Sequence, residues 1–188
     1  MSRRRRKPIG KKINPTLFIF CEGKTEVSYI NLLKTEYRIP SIHIHPKIGG
    51  NNITTEYINN YKMGKPTDEK DMTFLFYDLD VPTMQQRLSL IDGSILLVSN
   101  PSIELWFLLH YKNQTASTTN IYCLKELKNR NRTYKKGLID NKLKEKLILK
   151  RDNAIKRSKK LTKFQNPSST VYRLIEILIK LKNKYHWH

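Results

Sequence analysis

Three short apolar runs set the limits on what this chain can become. Leu17–Cys21 (LFIFC), Thr73–Tyr77 (TFLFY) and Ser94–Val98 (SILLV) are each about one strand long, and none alternates with charged residues. A strand that is apolar on both faces has to be covered on both faces, which is the habit of parallel sheets. Ser41–His45 (SIHIH) alternates instead and reads as a partly exposed strand. Helical segments lie between these runs. Glu22-Gly23 breaks the first run, and Thr25 is placed to cap a helix reaching about Tyr37, with Val27, Ile30, Leu32 and Leu33 on its inner side. A second helix is predicted near Thr54–Met63. Strand, helix, strand, helix at this spacing predicts an α/β fold, a parallel sheet flanked by helices on both faces. Such sheets carry their sites at the carboxyl ends of the strands. Two of the candidate strands end directly in acids, the first in Glu22 and the third in Asp78-Leu79-Asp80.

Beyond the fourth run the character changes. Asn100 is placed to cap a helix with Pro101 at its first position, and Ile103–Tyr111 is apolar almost all round, so this helix should be buried. Asn113–Asn120 is a polar loop, followed from about Ile121 by basic helical sequence. Ser168 or Ser169 is placed to cap a last amphipathic helix carrying Val171, Leu174, Ile175, Leu178 and Leu181. Charge follows the same divisions. Residues 1–12 hold seven Lys/Arg and no acid, 13–120 hold nine against eleven acids, and 121–163 hold sixteen against four. The expected organisation is therefore a basic arm (1–12), an α/β domain (13–120) and a basic helical extension packing on it (121–188). The total of +20 over 188 residues opposes compaction and points to a polyanionic partner. A slightly acidic centre in a basic frame suits a protein that holds cations centrally and grips phosphates around them.

The acids are the candidate chemistry. Asp78 and Asp80 are two apart, so on a strand both project from one face, and paired carboxylates suit Mg²⁺. Glu22 falls at the same sheet edge if the strands are parallel. Glu26 sits in a first helical turn, where a ligand role and a routine capping role are both open. Glu104 interrupts an apolar helix between Ile103 and Leu105-Trp106. Buried, it would need a metal, a base or a hydrogen-bond network; alternatively it is a first-turn surface acid. His110, six residues on, reads more simply as a hydrogen-bonded core histidine. Cys21 and Cys123 are too few for a disulfide framework and read as free thiols.

Cys21-Glu22-Gly23-Lys24-Thr25-Glu26 with Tyr29, then Asp78-x-Asp80, then Asn100-Pro101-Ser102-Ile103-Glu104-Leu105-Trp106 with His110, resemble the RloB-like family. Asn166-Pro167-Ser168-Ser169-Thr170-Val171 resembles a feature near that family's C-terminus, so the resemblance spans nearly the whole chain. It implies a Toprim-like fold, related to abortive-infection AbiL systems and OLD-type nucleases. It further implies that Glu22, Asp78 and Asp80 bind Mg²⁺ or Mn²⁺, with Glu104 as a further ligand or acid–base group and Glu26 completing the catalytic set. Some Toprim proteins carry a third acid two residues after the aspartate pair; here that position is Pro82, which puts a two-metal site in doubt.

The activity implied is Mg²⁺-dependent phosphodiester hydrolysis in a phage-defence or abortive-infection system, on RNA (tRNA among the candidates) or DNA. The metal would polarise the phosphate and acidify a water. Glu22 would bind it or take the water's proton, and Lys24 or Lys135 would offset phosphate charge. Basic residues from Lys125 to Lys163 would track the nucleic-acid backbone, among them Lys128, Arg130, Arg132, Lys135 and Lys136, with Tyr122 and Tyr134 available to stack on bases. The resemblance also implies a separate ATPase partner, and the chain carries no Gly-x-x-x-x-Gly-Lys-Ser/Thr loop of its own. The alternative is a non-catalytic nucleic-acid-binding subunit of an ATPase-containing complex. A primase reading is disfavoured by length, and a membrane-surface reading by the lack of an aromatic-rich amphipathic face. No apolar stretch reaches the ~18 residues of a membrane span, and the basic N-terminus lacks the apolar segment of a secretory signal. Cytoplasmic location is the expectation, and the oligomeric state is open.

Overall fold

The structure, a computed structural model, describes residues 15–39 and 43–185. The basic arm at 1–12 and the start of the Ser41–His45 segment lie outside the described residues. Five strands form one sheet: β1 (Thr16–Cys21), β2 (His43–Ile48), β3 (Met72–Asp78), β4 (Ser94–Asn100) and β5 (Ser168–Ser169), in the order β2-β1-β3-β4-β5. The first four run parallel, and only β5 runs against its neighbour. This is the α/β class expected, and it is consistent with a Toprim-like fold. The apolar runs became the inner strands because each has a covered surface on both sides. Leu17, Ile19, Cys21, Phe74 and Phe76 enter one core, while Phe18, Phe20, Leu75 and Tyr77 enter the other. The alternating segment became the edge strand β2, whose Pro46 and Lys47 suit an edge that offers no further pairing.

The helices divide between the two faces. The smaller core is closed by α2 (Thr55–Met63) and α3 (Met84–Ser89), through Ile58, Met84 and Leu88. The larger core takes α1 (Lys24–Tyr37), α4 (Ile103–Leu109), α5 (Asn120–Arg130), α6 (Asn141–Leu149), α7 (Arg151–Lys159) and α8 (Tyr172–Tyr185). All seven residues of α4 are buried, as its all-round apolar sequence requires. Cys123, Leu127, Leu143, Leu147, Ala154, Leu174, Ile175 and Leu178 join the same core as Leu17 and Ile19, so the basic last third packs on the sheet. Each of the leucines and the isoleucine among them contributes about 1.5–3 kcal/mol.

Local signals misplaced three details. The N-cap of α1 is Gly23, not Thr25, because the first turn is closed by Glu26 accepting from the Gly23 N–H at 3.0 Å. Thr25 lies inside the helix, and its Oγ1 instead accepts from the Gly137 N–H at 2.9 Å. The N-cap of α4 is Ser102, not Asn100, because Asn100 is the last residue of β4 and Ser102 is extended immediately before the helix. Ser168 and Ser169 do not cap α8; they form β5. The Thr170 N–H donates to the Val98 carbonyl at 2.8 Å, the Val98 N–H donates to Thr170 Oγ1 at 2.8 Å, and the hydroxyls of Ser99 and Ser169 pair at 3.0 Å. These bonds satisfy the outer edge of β4, which would otherwise bury unpaired backbone groups.

Candidate functional site

The carboxyl edge of the sheet gathers the predicted acids. Glu22 follows β1 directly; its N–H donates to the Phe76 carbonyl at 3.0 Å, and its Oε2 accepts from the Asp78 N–H at 2.9 Å. The first carboxylate is thus tied to the last residue of β3. Asp78 Oδ1 accepts from the N–H of Ile103, which opens α4, at 2.8 Å. Glu104, only 1% exposed, accepts from the Ser102 hydroxyl at 2.8 Å and from the Tyr134 hydroxyl at 3.0 Å. Lys136 Nζ stands 3.6 Å from the same Glu104 oxygen that Tyr134 holds. Glu104 is therefore a buried acid with a network, and the surface alternative does not apply. Glu26 is also buried and serves as the helix-closing acid as well as a member of the cluster.

Four of these acids act on one another. Burial first, then Glu26, Glu22 and Glu104, holds the Asp78 carboxyl well above the ordinary aspartate range. Glu26 is pushed up by burial and, more weakly, by Glu22 and Glu104, against hydrogen bonds from its own and the Gly23 N–H. Glu22 is pushed up by burial and by Asp80, against the Asp78 N–H and Lys136. Asp80 lies outside that group, although its charge reaches Glu22. It lies past the end of β3, so strand alternation no longer governs it; it is exposed, and its Oδ2 accepts from Asn120 Nδ2 at 2.9 Å.

These donors fit a divalent cation in kind and in charge. They are hard oxygens, and negative charge exceeds the one ammonium, Lys136, that forms an ion pair with them among the described residues. One oxygen each of Glu22, Asp78 and Asp80 is spent on a protein donor, leaving the second for a ligand. Among the described residues no group of three or more His, Cys, Asp and Glu converges closely enough to hold an ion as it stands. The side chains must swing together before three of them share one.

The basic extension reaches this edge through the turn between α5 and α6. Asn131 Nδ2 and the Thr133 hydroxyl donate to Asp140 at 3.1 and 2.5 Å, folding the turn back, and Gly137 docks on α1. The Gly137 N–H donates to Thr25 Oγ1, and the Ser28 hydroxyl donates to the Gly137 carbonyl at 2.7 Å. Gly137 has φ +82°, a conformation that costs an L-residue roughly 1–2 kcal/mol. Gly137→Ala should lower stability by about that amount, read as a shift in the urea midpoint at unchanged slope; an unchanged midpoint would show that the docking is dispensable.

The same turn corrects one expectation. Tyr134 is 3% exposed, packs edge-on to Phe107 and donates to Glu104, so its ring is not free to stack on a base. Burial and Glu104 raise its hydroxyl pKa, which keeps it a donor. Lys24, Lys128, Arg132, Lys135 and Lys136 are exposed, whereas Arg130 is paired with Glu126 at 2.8 Å. Tyr122 is 40% exposed beneath Lys112 Nζ. His110 is a core residue: Nδ1 bonds the Trp106 carbonyl at 2.9 Å, and burial pushes its pKa down to about 3, so it stays neutral. Cys21 and Cys123 are buried free thiols. Sequence reasoning missed Ser102, Asn120 and the holding role of Tyr134; only Ser102, inside the Asn100–Trp106 segment, carried a local signal.

Among the described residues no helix is long and apolar enough to cross a membrane. A family model described as RloB-like protein matches residues 17–178. No curated protein and no solved structure matches the chain.

Proposed function

The chain belongs to the RloB-like family, and from that premise we propose that it is a metal-dependent nuclease of a phage-defence or abortive-infection system. The observation that carries this reading is the gathering of Glu22, Glu26, Asp78 and Glu104 at the carboxyl edge, where Lys136 alone among the described residues forms an ion pair with them. A pure nucleic-acid binder gains nothing from concentrating negative charge where phosphates must approach. Glu22, Asp78 and Asp80 would hold Mg²⁺ or Mn²⁺, in the manner of Toprim proteins. The ion, when bound, polarises a phosphodiester and acidifies a water.

The chain's own groups supply the rest. Where Glu22 does not bind the ion, its carboxylate, whose pKa is raised by burial and by Asp80, would take the attacking water's proton. Ser102 and Tyr134 fix Glu104 in one orientation, a supporting shell of the kind that keeps a site in register. Lys136, more than half exposed, presents an ammonium beside the acids, where it would face the phosphate. Exposed lysines and arginines of the extension would grip the backbone without reading sequence. RNA, tRNA included, and DNA are both candidate substrates, and the reading includes a cytoplasmic location and a separate ATPase partner.

One observation favours a second reading, a non-catalytic nucleic-acid-binding subunit of an ATPase-containing complex: the carboxylates do not converge as they stand. The test is cleavage of a pool of total tRNA, single-stranded DNA and plasmid with Mg²⁺ or Mn²⁺, with and without EDTA and with co-purified ATPase partner. Asp78→Ala/Asp80→Ala should lower metal-dependent cutting by roughly a hundredfold or more. Salt-sensitive binding with no cutting under any condition would replace the nuclease by the binding subunit.

A further inference from the structure

Away from the carboxylates, a cavity of about 300 Å³ opens between α5 and α6, near the floor of the size range of small-ligand sites. Arg130, Lys142, Lys146 and Lys150 line it, with Glu145 the one acid, so its wall carries a net charge of 4 − 1 = +3. Tyr111 forms part of the wall, and Lys146 Nζ lies 5.0 Å from the centre of its ring. The Tyr111 hydroxyl is enclosed and bonded to nothing. The cavity is distinct from the acidic edge, because Glu104 lies in the first turn of α4 and Tyr111 lies past its end. Those seven residues are roughly 10 Å of helix.

Lys142, Lys146 and Lys150 recur every fourth residue and so share one face of α6 and its end. Like charges at that spacing destabilise a helix by about 0.2–0.5 kcal/mol per pair. A solvated basic face normally relieves this with interleaved acids. Here the ion pairs among the described residues are made by other cations, and Lys142, Lys146 and Lys150 take part in none. Lys142 lies within the field of Asp140, the N-cap of α6, without pairing with it. Arg130 is held in the wall by Glu126, which leaves the three ammonium groups without an acid partner among the described residues. The Tyr111 ring, with Lys146 Nζ against it, and three ammonium groups that pair with no acid form a pocket for an oxyanion attached to a flat group.

We propose that this cavity is a binding site for the phosphate of a nucleotide, supplied either as a free mononucleotide or as one unit of a single strand. Phosphate oxygens would accept from Lys142, Lys146 and Lys150, and the sugar–base portion would lie toward Tyr111. The site rests on the reading of a nucleic-acid or nucleotide partner and is independent of cleavage.

The experiment measures binding in EDTA, so cutting cannot contribute. The probes are a fluorescein-labelled 12-nucleotide single strand and AMP, over a series of salt concentrations. Variants are Lys142→Gln/Lys146→Gln/Lys150→Gln and a control of equal charge removal, Lys156→Gln/Lys160→Gln/Lys163→Gln, with circular dichroism to verify folding. The pocket variant should lose at least tenfold in strand affinity, and its slope of log K against log salt should fall by about 2, three contacts at ~0.7 each. The control should move less than threefold. AMP binding that disappears in the pocket variant identifies the free nucleotide as a ligand; strand binding alone identifies a backbone phosphate. Equal losses in both variants would overturn the pocket while leaving a general basic surface. Wild-type protein that binds neither probe would overturn both the pocket and the nucleic-acid reading.

Discussion

Asp78→Asn is expected to make the metal-free protein more stable while abolishing metal-dependent cutting. Asp78 is an acid whose pKa is raised in the folded state by burial and by three neighbouring carboxylates. The folded protein therefore holds that proton more tightly than the unfolded chain does. Folding is favoured at low pH, and this contribution is lost as pH rises from the ordinary aspartate range through the raised value. Asparagine cannot ionise, so it avoids the loss, and its Oδ1 can still accept from the Ile103 N–H that Asp78 Oδ1 meets at 2.8 Å. The gain at pH 8 in EDTA should be on the order of 1–2 kcal/mol, roughly 2–8 °C in Tm for a chain of this size. It should fade towards pH 4, where the wild-type carboxyl is protonated too. Thermal melts of both proteins across that range provide the check. A variant that melts below wild type at pH 8 would mean the acids are balanced by charges already in place, and the case for a cation would fail with it.

Trp106→Ala should produce the largest stability loss among single substitutions in α4, about 3–5 kcal/mol. Trp106 is fully buried within a helix whose seven residues are all buried, and its ring meets His110 edge-on at 4.9 Å. Truncation would leave a cavity that α4 cannot close, because it is packed against β4, β5, α5 and α7. Domains commonly hold only 5–15 kcal/mol in total, so such a loss would unfold much of the population under mild denaturant. Glu104 lies two residues before Trp106, so the acidic edge should loosen with it. The urea midpoint measures the effect; a loss below ~1 kcal/mol would mean that α4 is not the post between sheet and extension.

Much of this architecture was written in short windows. Unbroken apolar runs announce strands covered on both faces, and Leu17, Ile19 and Cys21 did divide from Phe18 and Phe20 between two cores. Helices α1, α2 and α4 followed from the sequence, although the caps of α1 and α4 did not, and α3 (Met84–Ser89) was not foreseen. Gly23, rather than Thr25, opens α1 because Glu26 closes the turn from inside the helix. Ser168 and Ser169 looked like caps because serine favours helix starts, yet the unpaired edge of β4, some seventy residues away, recruited them as a strand.

The candidate site divides along the same line. By itself the sequence determined which acids end the strands, because a carboxylate directly after an apolar run must emerge at the sheet's edge. It also determined that Glu104 interrupts an apolar helix, and that the extension is basic. Only the tertiary structure decided that Asp80 stays at the surface while Glu22, Glu26, Asp78 and Glu104 gather together. Only it brought Tyr134 and Lys136 to Glu104, thirty residues earlier in the chain, by docking Gly137 on α1. The physical reason is range. Strand and helix periodicity is set by neighbours within a few residues, whereas these contacts join segments 30 to 112 residues apart, and their partners are chosen by packing.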